Sequence, residues 1–160
     1  MPELRVDPRQ VMVTEGQVDS AEGSVMRVPD SELEYDEELI YRWRGELFTG
    51  VGYDDGSPSG LSEVCYRHGM QEGPARDWYP SGVLKGESYF RENVQHGVTR
   101  EYTEGGEVES EAVYEYGILL SKSERGEDGE FRQVYRLADG SPNRRLLQRF
   151  REEKGWPEIG

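Results

Sequence analysis

With 160 residues, 34% of them apolar, and a net charge of −14 from 33 Asp and Glu against 19 Lys and Arg, the chain lacks material for one thick core. A thin structure whose units pack on their neighbours suits it better. So acidic a surface repels phosphate backbones and anionic lipid headgroups, which excludes nucleic acid and membranes as expected partners and favours a basic protein.

Cys65 is the single cysteine, so an internal disulfide and a thiolate metal cluster are excluded. It is not expected to be a nucleophile, because on a strand His68, three residues away, points to the opposite face. The opening residues lack the basic-then-apolar pattern of a secretory signal and no apolar run reaches membrane-spanning length. A cytoplasmic location is therefore expected.

Taken in chain order, residues 1–44 read as an irregular acidic N-terminal cap. They hold a candidate strand at Val11, Met12 and Val13, then an acidic run, SELEYDEE, over 31–38. That run reads as a solvated linker, or alternatively as a cover for the basic active site of a nuclease-like toxin, since carboxylates imitate phosphate. Residues 39–43 read as a strand ending in a turn at Arg44, Gly45 and Glu46.

The middle of the chain repeats. Residues 73–82, GPARDWYPSG, lie above residues 97–106, GVTREYTEGG, at an offset of 24. At that offset Gly73 meets Gly97, Arg76 meets Arg100, Trp78 meets Tyr102 and Gly82 meets Gly106. Further along, Leu84 meets Val108, Glu87 meets Glu111 and Phe90 meets Tyr114. Glu63, Tyr66, Gly69 and Met70 fall at the same phase one unit earlier, and Gly69 and Met70 recur as Asn93 and Val94, then as Gly117 and Ile118. A half-unit at 47–56 fits with a small insertion or deletion. Fixed self-similarity of this period marks a repeat architecture.

Each unit reads as a β-hairpin and a loop over 45–120. Asp55-Gly56, Ser81-Gly82 and Gly105-Gly106 are expected to supply the positive φ of the hairpin turns. Pleat alternation places Arg76 with Trp78 and Arg100 with Tyr102. On the returning strands it groups Leu84, Gly86, Ser88 and Phe90, and likewise Val108, Ser110, Ala112 and Tyr114. Large residues at the ends with small ones between predict a shallow trough.

The last part, 121–160, is expected to hold a further strand over 131–137 and a short capping helix. Ser141 is a suitable N-cap with Pro142 in the first helical position, and Leu146, Leu147 and Phe150 fall on one side before Gly155. This helix is expected to cover the exposed edge of the last strand.

Six residues are the candidate partner-binding set: the aromatics Trp78, Phe90, Tyr102 and Tyr114, and the arginines Arg76 and Arg100 on the same face. Aromatics dominate binding hot spots, although such a row also stacks to hold repeats together. The arginines could take a ligand carboxylate bidentately or pair with a nearby glutamate. Glu63, Glu87 and Glu111 form an acidic ladder at one-repeat spacing, able to do acid–base chemistry only if one carboxyl is buried and its pKa raised. His68 and His96 are out of phase for a metal pair. No phosphate-cradling loop, zinc motif or catalytic triad order is present, so neither a cofactor nor a metal is expected and no catalytic residue is assigned.

The pattern of a glycine, four residues, Trp or Tyr, a turn glycine, then an apolar–Glu–aromatic strand resembles the MORN repeat family. Phe48 to Gly50, the stretch 73–82 and the stretch LKGESY at 84–89 are similar, more narrowly, to a bacterial branch associated with antitoxin and immunity components. The resemblance covers about residues 45–120 and departs from the pattern at Asn93, where a turn glycine is expected. It implies an all-β, elongated antiparallel meander with an aromatic-lined groove, and a protein-binding scaffold that neutralises a basic toxin or effector. Two alternatives stand beside it: an enzyme using the groove as a cleft with Glu, Asp or Tyr on a peptide or small metabolite, and a structural self-assembling scaffold.

Overall fold

Two-residue turns organise the chain. The computed structural model describes residues 25–160; the candidate strand at Val11, Met12 and Val13 lies outside them. The strands are β1 (Arg27–Pro29), β2 (Glu34–Tyr35), β3 (Tyr41–Trp43), β4 (Glu46–Leu47), β5 (Gly50–Asp54), β6 (Ser62–Arg67), β7 (Met70–Trp78), β8 (Leu84–Arg91), β9 (Val94–Gln95), β10 (Gly97–Tyr102), β11 (Val108–Glu115), β12 (Ile118–Arg125) and β13 (Phe131–Arg136), followed by one helix, α1 (Pro142–Lys154). Residues expected to be irregular near the start therefore contribute β1 and β2, and β3 falls within the strand expected over 39–43.

The main sheet has ten strands in the order β1-β5-β6-β7-β8-β10-β11-β12-β13, with β9 paired to β8; β2, β3 and β4 form a separate small sheet. β1 runs parallel to β5, and from β5 to β13 the ladder is antiparallel. Among the described residues the fold is thus mainly β with one C-terminal α-helix, as the hairpin pattern and the Ser141-Pro142 start lead one to expect.

Four strand pairs are joined by two residues, both with positive φ: Arg44 and Gly45 (50° and 81°), His68 and Gly69 (49° and 83°), Glu92 and Asn93 (47° and 68°), Tyr116 and Gly117 (52° and 75°). Each pair lies 24 residues from the next. Two positive φ angles in succession match the right-handed twist of the flanking strands, and Asn tolerates the second position almost as well as Gly. Asn93 also accepts the Gln71 N–H at 2.7 Å and donates to the Leu39 carbonyl at 3.1 Å, so the departure from glycine adds two contacts.

At the other ends of the hairpins the expected turn glycines are only partly used. Gly82 and Gly106 take φ of 89° and 86°, whereas Gly56 and Gly105 do not take positive φ. In the first loop Gly60 does so instead, at 114°, and a Cβ there would lie 1.9 Å from the Trp78 carbonyl oxygen. The β5–β6 hairpin therefore closes by bringing its loop against the backbone of β7.

Apolar residues gather at the two ends. Val28, Trp43, Phe48 and Tyr66 form one buried cluster under the small sheet, with Leu33 and Val64 packed against it. Tyr116, Ile118, Leu120, Leu137 and Leu147 form the other, with Leu146, Phe150 and Trp156 around it. α1 begins as its sequence implies, the Ser141 side chain accepting the Arg144 N–H at 3.1 Å, and ends at Gly155 in the left-handed region. Arg151 on α1 clamps Glu115 on β11 through bonds of 3.2 and 2.6 Å, and the Glu115 side chain is wholly buried.

The helix does not cover the sheet edge. Leu147 packs against the β11–β12 hairpin, and all six residues of β13 are exposed, Phe131, Val134 and Tyr135 among them. The physical reason is that the apolar side of α1 matches Tyr116, Ile118 and Leu120, whereas β13 carries Arg132 and Arg136 and offers no continuous apolar row.

Candidate binding site

The ladder register decides which side chains meet. Directly opposed residues of neighbouring strands share a face. Tyr53, Glu63, Arg76, Glu87, Arg100 and Glu111 are such neighbours in succession across six strands. The three predicted glutamates and two predicted arginines thus interleave in one row. Arg76 Nε donates to Glu87 at 2.5 Å and Arg100 Nε to Glu111 at 2.8 Å. Arg27 Nη2 donates to Glu63 at 2.8 Å while its guanidinium lies 3.7 Å from the centre of the Tyr53 ring.

Burial grades this row. Arg76 and Glu87 are 10% and 8% exposed, Arg100 and Glu111 30% and 36%. Burial works against the charge on Arg76, but its hydrogen bond to Glu87 and the Glu87 charge outweigh that and hold the guanidinium above its ordinary range. The same balance, with Glu111, holds Arg100 up. Tyr89 adds a donated bond of 3.0 Å to Glu87. Glu63 keeps one carboxylate oxygen, Oε2, shielded from solvent with no hydrogen-bond partner. A row of paired charges of this kind fixes strand register rather than presenting a free acid and base.

Cys65 is also shielded. Burial first, then the Glu63 charge, push its thiol up to about 11 against the opposing pull of Arg76. His68 sits in a hairpin turn rather than on a strand. A thiol so shifted stays protonated at neutral pH, and the thiolate is the reactive form.

The four aromatics do not form one row. Trp78 and Tyr102 stay on the face of Arg76 and Arg100, two residues along β7 and β10. Phe90 and Tyr114 fall three residues from Glu87 and Glu111 and so lie on the opposite face. Irregularities at Asp77/Trp78 and Glu101/Tyr102 place Leu84 opposite Trp78 and Val108 opposite Tyr102, so these two leave the group of Gly86, Ser88 and Phe90 and that of Ser110, Ala112 and Tyr114. Trp78 is 5% exposed and belongs to the interior, while Phe90, Tyr102 and Tyr114 are half-buried.

A cleft of about 560 Å³ opens beside this row. Tyr89, Phe90, Val98 and Arg100 line it from the sheet, and Pro157 and Ile159 from the segment after α1. Two of the six predicted binding residues, Phe90 and Arg100, border it, from opposite faces of their strands. Sequence reading missed its key fixed residue, His96, which is 8% exposed. His96 Nδ1 accepts the Tyr116 N–H at 3.1 Å, so its proton sits on Nε2 and is donated to the Pro157 carbonyl at 2.7 Å. Only its position four residues out of repeat phase marked it.

Charge is unevenly spread. Residues 121–160 hold nine of the 19 Lys and Arg but only eight of the 33 Asp and Glu, so that stretch is net +1 and the first 120 residues carry −15. Among the described residues no group of three or more His, Cys, Asp or Glu is placed to hold a metal ion, and no helix is long and apolar enough to cross a membrane.

No family model matches the chain, and no curated protein sequence does. Among solved structures, it is similar to a chain in the crystal structure of accessory secretory proteins 1, 2 and 3 in Streptococcus pneumoniae, with 18% identity over 68% of this chain and a TM-score of 0.35. The match spans 20% of the length of that chain.

Proposed function

We propose that the protein is a MORN-like tandem hairpin scaffold that binds another protein, in the manner of an antitoxin or immunity component holding a basic partner. The observation that carries this reading is the cleft beside the charge row. It combines the Tyr89 side chain, an aliphatic wall and an arginine, the mix that binding pockets use for orientation and affinity. The 24-residue spacing of the two-residue turns supports the repeat assignment, and the −15 carried by the first 120 residues supports a basic partner, drawn in faster at low salt. The carboxylates that an enzyme would need are held in salt bridges with arginines, which favours binding over acid–base work.

The test is capture from the native host, followed by titration of the purified partner against salt and against Val98→Asp. Expected are a basic partner, an affinity that falls as salt rises, and at least tenfold weaker binding to a folded Val98→Asp chain. A partner bound equally by Val98→Asp, or one whose affinity ignores salt, would overturn the reading.

A further inference from the structure

The segment after α1 packs its Trp156 into the C-terminal cluster and forms one wall of the cleft with Pro157 and Ile159. The Trp156 ring stacks on Tyr116 at 4.9 Å and 17°, and meets the His96 ring edge-on at 5.2 Å. Its backbone N–H donates to the Tyr116 hydroxyl at 2.9 Å, and the next carbonyl, on Pro157, receives the His96 Nε2 proton at 2.7 Å. Arg91 and Lys154 stand over the indole at 5.1 and 5.4 Å. Ile159 then lines the cleft and Gly160 reaches Leu120 and Val113.

The receptor and the occupant differ in kind. His96 and Tyr116 are fixed by the sheet, each buried and bonded to the other, Tyr116 within a tight turn. The occupant has no regular structure, and of residues 155–160 only Trp156 is not exposed. Gly155, in the left-handed region at φ 63°, lets the segment leave the helix axis. Two hydrogen bonds and one inserted ring hold it, with the rest of the cleft open beside it.

We propose that His96, Tyr116 and Arg91 form a peptide-binding pocket, that residues 156–159 are its displaceable internal occupant, and that a partner enters through a segment of the same chemistry: an aromatic residue, proline, any residue, then an aliphatic one. The pocket reads that pattern by a stacked ring, a backbone carbonyl facing a single imidazole N–H, and an apolar strip beyond. The pocket adjoins the cleft taken above as the partner site and shares His96 and Arg91 with it, so the proposal rests on that reading.

The measurement uses the full chain carrying Trp156→Ala, which empties the pocket without shortening the protein, and the labelled peptide Gly-Trp-Pro-Glu-Ile-Gly read by fluorescence anisotropy. The peptide is expected to bind this variant at least tenfold more tightly than the wild-type chain, where the tethered segment competes at a local concentration on the order of millimolar. Adding His96→Ala should abolish the gain. Equal binding to both chains, or none to a folded Trp156→Ala variant, overturns the proposal. Should that variant unfold, hydrogen exchange on the wild-type chain decides: the Trp156 amide must exchange by local opening well before global unfolding, and exchange only with global unfolding overturns it. No partner is needed for either readout, so this proposal can fail while the capture experiment stands, and the reverse.

Discussion

Removing Arg76 should cost far more stability than removing Arg100, although the two occupy equivalent places in the repeat. Arg76→Ala leaves the buried Glu87 without its cation, and takes positive charge from beside Glu63, whose Oε2 already lacks a partner. Breaking a buried pair from one side costs about 3–5 kcal/mol. The Arg100–Glu111 pair is about a third exposed, and such pairs contribute about 1 kcal/mol or less. At a urea m-value of about 2 kcal/mol/M, the expected midpoint shifts are about 1.5–2.5 M for Arg76→Ala and under about 0.5 M for Arg100→Ala. Urea unfolding followed by circular dichroism measures both. Replacing Arg76 and Glu87 together by Met should recover most of the loss, because two apolar side chains leave no buried charge behind. Equal midpoints for the two single variants, or a double variant that loses the sum of its singles, would refute a register-fixing ladder. A wild-type midpoint for Arg76→Ala with loss of partner capture would instead make Arg76 a contact residue.

Two further outcomes are expected. Cys65 should resist iodoacetamide at pH 8 in the folded chain and react on unfolding; because its folded pKa is raised, from 9.0 to about 11, the stability it contributes is complete below pH 9 and lost as pH climbs to 11, which urea midpoints across that window would show. Arg132→Val with Arg136→Val, on the uncovered edge strand, should produce concentration-dependent association in sedimentation velocity, since charged side chains guard exposed edges; unchanged sedimentation would mean that other features protect β13.

The mainly β character and several turns were legible in the residues because turn chemistry is local. The pairs His68-Gly69, Glu92-Asn93 and Tyr116-Gly117 stand at the repeat spacing, and Asn93 does what glycine does there. The interleaving of Glu63, Arg76, Glu87, Arg100 and Glu111 was not legible, because turn register alone would set Arg76 opposite Gly86 and Arg100 opposite Ser110, and the irregularities at Asp77/Trp78 and Glu101/Tyr102 move them onto Glu87 and Glu111. The face of Leu84 and of Val108 was not legible. Alternation along one strand is a local property, but a bulge depends on how two strands meet, and no residue type near Lys85 or Glu109 announces an extra position. For the same reason the aromatics divided between faces. The Arg151–Glu115 clamp and the hold of His96 on Pro157 join residues 36 and 61 positions apart, and nothing in a single sequence pairs them.

The distribution of burial explains why the cleft lies where it does. Apolar clusters close only the two ends of the sheet, and between them the strands are held in register by paired charges that need little thickness. A middle built in this way has no apolar layer above it, so the side chains beside the charge row stay reachable. Tyr89, Val98 and Arg100 stand where the C-terminal cluster gives way to that middle. The segment after α1 starts in the cluster, at Trp156, and runs out over the open ground. A sheet whose centre is closed by paired charges rather than by an apolar layer thus leaves an open cleft at the boundary of its C-terminal core, and the segment with a Trp-Pro step lies on that boundary.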